Sequence, residues 1–226
     1  MKRSEINRSI KKLEMLAREN GFNLPPFCHW LPDEWDEKGE DYDEIRDNML
    51  GWDVTDYGEG HFDTLGLALI TIRNGNANNP KYNKSYAEKL IMSEENQISP
   101  MHFHFNKMED IINRGGGNLV MRLYNSSLDG GFAETDVEYR SDGVCHVVPA
   151  GSIITLLPGE SITLPPGLYH EFWAEEGKGT VLIGEVSQTN DDNTDNRFYV
   201  PLARFSSVEE DEPPYRLLCN EYPAAK

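Results

Sequence analysis

The chain has 226 residues, 39 of them acidic and 21 basic, for a formal net charge of −18 at neutral pH. That length suits one elaborated domain with a sizeable core, and that charge repels nucleic-acid phosphates and anionic membrane surfaces, so neither is an expected partner. The three cysteines, Cys28, Cys145 and Cys219, are scattered along the chain, which suggests no disulfide framework or thiolate metal site and suits a reducing cytoplasm. The opening residues lack an apolar stretch of signal-peptide length, and no apolar run approaches the roughly 20 residues that cross a bilayer. A soluble cytoplasmic protein is the expectation.

In chain order, Ser4 is placed to cap a helix in which Ile6, Ile10, Leu13 and Ala17 recur at helical spacing, with Glu5 in its first turn and Gly21 beyond its end. Residues 24–35 are rich in proline and aromatics and residues 33–47 are strongly acidic, so residues 1–50 read as a helix and loop extension. From Trp52 onward the pattern becomes one of strands. Residues 65–72, 86–93, 118–124, 137–139, 144–148 and 153–156 are short apolar runs separated by Gly, Pro, Asn and Asp, although residues 86–93 also fit a short helix. Many short strands with such turns indicate a β-barrel or jelly roll over residues 51–205. Residues 206–226, with their acidic run, read as a surface tail of the same single domain that packs where Leu217 and Leu218 allow.

Two stretches carry chemistry. In the first, residues 101–117, alternate side chains of a strand share a face, so His102 and His104 project together while Phe103 and Phe105 project oppositely. After a turn at residues 106–108, Glu109 can bring a carboxylate to the same point; this donor set suits Zn, Mn, Fe, Co or Ni. In the second, Gly159 and the Pro165-Pro166-Gly167 cluster are turn chemistry flanking a short strand at residues 161–164. They deliver His170 near the beginning of the strand at residues 168–174. The spacings His102-x-His104, Glu109, Gly116 and Gly159, Pro165-x-Gly167, His170 resemble the two cupin motifs, with Ala174 standing where the second motif often ends in Asn. This resemblance implies a mainly β double-stranded β-helix (jelly-roll barrel) with His102, His104, Glu109 and His170 as the four metal ligands. His29, His61 and His146 are expected to be structural or surface histidines.

Residues 180–198, the opening residues 1–7 and the overall length resemble the D-lyxose ketol-isomerase family of cupin sugar isomerases, from the first helix to about Arg204. The resemblance implies interconversion of an aldose and a ketose through a cis-enediol, Mn²⁺ as the ion, D-lyxose and D-xylulose or D-mannose and D-fructose as the sugars, and a homodimer. No Gly-rich phosphate loop opens a helix, so the substrate is expected to be unphosphorylated and no nucleotide cofactor is expected. Glu185 lies in an apolar run where an isolated carboxylate is costly. It is the candidate proton-transferring base, with an ion pair to Arg122 or Arg197 as its structural alternative. Lys107, in the turn between ligands, is a candidate for polarising a substrate oxygen, with a solvated turn lysine as the alternative; Arg197 and Asp195 are candidates for binding sugar hydroxyls, with a solvated turn held by internal Asx bonds as the alternative. A metal-dependent dioxygenase and a non-catalytic sugar-binding cupin are the competing functions.

Overall fold

In the computed structural model, which describes residues 1–225, the amphipathic opening segment forms α1 (Arg3–Glu19). A short helix α2 (Asp43–Asp47) follows among 3₁₀ turns. The strands then come in sequence: β1 (Gly51–Thr55), β2 (Leu67–Arg73), β3 (Tyr86–Ser93), β4 (Ser99–His104), β5 (Glu109–Gly116), β6 (Leu119–Asn125) and β7 (Val137–Ser141). They continue as β8 (Val144–Val148), β9 (Ile153–Leu156), β10 (Ser161–Leu164), β11 (Leu168–Ala174), β12 (Val181–Gln188) and β13 (Asn196–Phe198). Residues 86–93 are a strand because they pair along their length with β12 on one side and with β2 on the other.

The strands form two sheets, one ordered β1-β2-β3-β12-β5-β10-β7-β8 and the other β13-β4-β11-β6-β9. Every strand pairing among the described residues is antiparallel, and from β3 onward successive strands alternate between the sheets apart from the β7–β8 hairpin, which is the jelly-roll arrangement. Alternation along each strand sorts the core into two bodies. Leu69, Ile91, Ile111, Met121, Leu123, Phe172, Val181 and Ile183 cluster between the sheets. Trp52, Val54, Ala68, Ile70, Leu90, Met92 and Leu182 face the other way and receive Ile6, Ile10, Leu13 and Ala17 of α1. The helix therefore lies outside the barrel, as its apolar stripe predicts. Gly116 at the end of β5 has φ 89°, and a Cβ there would meet the Thr180 carbonyl oxygen at 2.1 Å, so the return towards β6 admits no side chain.

Two local expectations are revised. Ser4 lies inside α1, whose N-cap is Lys2. The Glu5 carboxylate accepts the Lys2 N–H at 2.8 Å, while the Ser4 hydroxyl donates to Asp211 at 2.7 Å. The acidic tail is likewise more than a surface extension. Glu210 and Glu221 engage the buried Arg3 guanidinium at 2.6 and 2.5 Å, Asn7 donates to Glu212 at 2.6 Å, and Cys219 N–H donates to the Trp52 carbonyl at 2.7 Å. Leu218 enters the α1 core.

Candidate active site

Strand geometry assembles the site. In β4, His102 and His104 point into the barrel, and the antiparallel register sets His170 of β11 directly opposite His102. The His102 Nδ1 lies 2.7 Å from the Pro100 carbonyl and the His170 Nδ1 lies 3.0 Å from the Leu168 carbonyl. A carbonyl can only accept, so each Nδ1 carries the proton and each Nε2 is left with its lone pair. Ligand atoms of His102, His104 and His170 lie within 4.8 Å of one another. Glu109, the first residue of β5, places Oε1 3.2 Å from both His104 Nε2 and His170 Nε2. His170 Nε2 is buried and has no hydrogen-bond partner among the described residues. Three imidazoles and a carboxylate oxygen converging on one point, with His170 Nε2 unpartnered, fit a bound metal ion. Burial, reinforced by the neighbouring His170 and His104, holds His102 well below the ordinary histidine range, which keeps it in the neutral, metal-binding form.

A buried ion network abuts this cluster. Lys107, 3 % exposed, directs Nζ to Glu109 Oε2 at 2.7 Å, Glu185 Oε1 at 2.9 Å and Asn190 Oδ1 at 3.2 Å. Its three N–H bonds are thus committed to three acceptors. Lys89 of β3 sits across from Glu185 of β12 in the register, and its Nζ lies 3.3 Å from Glu185 Oε1, 2.8 Å from Asn190 Oδ1 and 3.7 Å from Asp192 Oδ1. Arg204 joins Asp192 at 3.2 Å and also Asp53. Burial opposes the charge on Glu109, yet Lys107 and His104 hold it well below the usual carboxylate range. Burial likewise opposes charge on Asp192, and Arg204, Lys89 and Lys107 overcome it. Lys107 is raised against its own desolvation by Glu109 and Glu185, so it is an ammonium. The carboxylates of Glu109, Glu185, Asp192 and Asp53 face the cations of Lys89, Lys107 and Arg204, so each buried charge here has an opposite partner.

The cavity over these groups is walled by Tyr57, Leu69, Ile91, Phe172 and Phe198, with Asn196, Asp192 and Arg204 at its polar side. A second cavity, lined by Asp47, Asn48, Asn74, Asn190 and Cys219, contains no histidine and shares only Asp192 with the first; the chemistry belongs to the histidine-lined one.

The structure thus brings His102, His104, Glu109, His170, Lys107 and Glu185 into one cavity. It does not bring Asp195 and Arg197 there. Asp195 accepts Asn106 N–H at 2.8 Å, Asn106 Nδ2 at 2.9 Å and Lys107 N–H at 3.0 Å, so it ties down the turn between β4 and β5. Arg197 alternates with the inward Asn196 and Phe198 and stands on the outer face of β13 beside Gly130 and Tyr169. Neither Arg122 nor Arg197 pairs with Glu185: Arg122 meets Glu171 at 2.8 Å on the outer face, and the partners of Glu185 are the two lysines. Sequence reasoning missed Lys89, Asp192, Arg204 and Tyr57. Lys89 alone left a signal, a charge embedded in the apolar run of β3 much as Glu185 is in β12.

Residues 1–222 match the family model described as D-lyxose isomerase. The chain belongs to the D-lyxose isomerase family. Within it, the D-lyxose/D-mannose isomerase of Serratia proteamaculans is 49% identical over 223 residues, covering 98% of each chain. That of Escherichia coli O157:H7 is 48% identical over 223 residues, again 98% of each. The D-lyxose ketol-isomerase of Cohnella laeviribosi is 27% identical over 166 residues, 71% of this chain and 82% of its own. Among solved structures, the L-ribose isomerase of Geodermatophilus obscurus superposes with a TM-score of 0.60 at 13% identity, covering 92% of this chain and 98% of that one. Such distant likeness speaks for the cupin-type fold alone. Family membership makes the protein an aldose–ketose isomerase, and the dioxygenase and binding-only alternatives fall away.

Proposed function

We propose that this member of the D-lyxose isomerase family interconverts unphosphorylated aldoses and ketoses, D-lyxose with D-xylulose and D-mannose with D-fructose, using one divalent ion held by His102, His104, Glu109 and His170. The observation that carries the reading is the placement of the buried Glu185 carboxylate in the same cavity as those four groups. The names of the relatives support the choice of sugars. Mn²⁺ is the proposed ion, consistent with a donor set of three imidazoles and one carboxylate. When bound there, the ion supplies Lewis acidity to the carbonyl next to the exchanging proton.

The residues of the chain do the rest. Glu185 takes the proton from C2 of the aldose and returns it to C1, while the hydroxyl proton passes from O2 to O1 through the cis-enediol, the reverse path serving the ketose. The ion pairs of both lysines fall on Oε1, which supports Oε2 as the oxygen that carries the proton. Lys107 fixes Glu109 and Glu185 relative to each other; with its donors committed, it is not the group that polarises the substrate. Phe172, Phe198 and Tyr57 limit water around the enediol. A homodimer in the cytoplasm belongs to the same reading, supported by an apolar groove lined by Ile98, Met101, Tyr199 and Val200 and by three free thiols.

The test is to strip the protein with a chelator, restore Mn²⁺ and follow ketose formation from D-lyxose and D-mannose. Activity should vanish and return with the metal, and His102→Ala should lose most bound ion. Full turnover by metal-free protein, or a clear preference for sugar phosphates, would overturn the proposal.

A further inference from the structure

We infer that Asn190, in the loop between β12 and β13, is a positioning residue for proton transfer, acting on Glu185 through Lys89 and Lys107; the inference rests on Glu185 being the base. Its Oδ1 accepts from Lys89 Nζ at 2.8 Å and from Lys107 Nζ at 3.2 Å. The same two ammonium groups reach Glu185 Oε1 at 3.3 and 2.9 Å. Two like charges are therefore held between one carboxylate oxygen and one amide oxygen, a closed ring of four polar atoms. Each ammonium would otherwise repel the other, and each has several acceptors within reach, Asp192 for Lys89 and Glu109 for Lys107. The shared amide oxygen keeps both turned to Glu185.

The amide orientation is not arbitrary. Both neighbours are pure donors, so reversing the side chain would set an NH₂ group against two ammoniums. The backbone of Asn190 is also clasped from the far side. Its N–H donates to Asn74 Oδ1 at 2.9 Å, and Asn74 Nδ2 donates back to the Asn190 carbonyl at 3.0 Å. Asn74 follows the end of β2 and is itself buried, accepting through its carbonyl from Asn48 Nδ2 at 3.2 Å. A chain of amides thus runs from the outside of the barrel to the lysines. Asn190 lies outside the set of residues that wall the histidine-lined cavity, so it acts without touching the sugar.

The test uses the Mn²⁺-loaded protein and D-lyxose carrying deuterium at C2. Asn190→Leu, which keeps the shape and removes the acceptor, and Asn190→Ala should lower kcat by about 10- to 100-fold, the scale of losing an outer partner of a site residue. KM and bound metal should stay near the parent's, and the isotope effect should rise as proton transfer becomes more rate-limiting. Asn190→Asp restores an acceptor and should turn over markedly faster than Asn190→Ala, a comparison that stands even if the leucine variant does not fold. Parent-like kcat in a folded Asn190→Leu or Asn190→Ala protein overturns the inference, as does a loss of activity that tracks metal loss or melting with an unchanged isotope effect. If Glu185→Gln is inactive while the Asn190 variants are normal, positioning by Asn190 fails and the base assignment survives. Near-normal Glu185→Gln turnover removes the base assignment, and this inference with it.

Discussion

At the scale of single residues, the informative group is a carboxylate in an apolar strand. Burying a lone charge there is prohibitive unless it is paired and hydrogen-bonded, and Lys89 and Lys107 provide that pairing on one oxygen of Glu185. Glu185→Gln preserves shape and removes the carboxylate proposed as the base. We expect it to retain Mn²⁺ and slow turnover by about 10²-fold or more, the scale of losing general acid–base catalysis; parent-like kcat with D-lyxose would show that another group moves the proton. Arg197 gives the opposite expectation. Because its side chain is on the outer face of β13, Arg197→Ala should leave KM for D-lyxose within about twofold, as for substitutions away from a site. A large rise in KM in steady-state assays would return it to the cavity.

At the scale of elements, two periodicities meet on one sheet. The period of two along β12 sends Val181, Ile183 and Glu185 inward and Leu182 outward, where the 3.6-residue stripe of α1 covers it. Ile10 is fully buried between helix and sheet. Ile10→Ala should cost about 2–5 kcal/mol by chemical denaturation, the usual range for emptying such a site, and should leave metal content and kcat of the folded protein unchanged. A lower kcat in the folded, metal-replete variant would mean that α1 influences the cavity. The tail belongs to the same element-scale assembly, since Arg3 at the start of α1 is held by Glu210 and Glu221 from its two ends.

At the scale of the molecule, the surplus of negative charge meets a buried network whose titration has a definite sign. Glu109 and Asp192, despite burial, are held well below the carboxylate range by Lys107 and by Arg204 with Lys89, respectively, and burial beside His170 and His104 depresses His102. For each, the unfolded chain takes up its proton at a higher pH than the folded one. The stability they contribute is complete above about pH 6.5, declines first as the unfolded chain's histidine protonates, and falls further as pH drops through and below the carboxylate range. Unfolding midpoints of the chelator-treated protein should therefore be level above about pH 6.5 and fall between there and about pH 4. A midpoint that rises on acidification would contradict the network.

How much of this was legible in the sequence follows from which constraints are local. His102 and His104 share a strand, Glu109 follows one turn later, and Pro165, Pro166 and Gly167 set up His170. Chain geometry and the resemblance these spacings carry were therefore enough to reach the barrel and, with the flanking segments, the family, and to nominate the four residues that the structure gathers at one point. The helix stripe was equally local. Strand pairing is not. Nothing near Glu185 in the chain says that Lys89 is its cross-strand neighbour, that Asn190 lies beneath both lysines, or that Arg204 reaches Asp192. Side-chain alternation sorts neighbours onto two faces, but only the closed barrel decides which face is inside. That is why Asp195 and Arg197, plausible in sequence, ended as a turn clamp and an outer-face arginine, while Lys89 became part of the site.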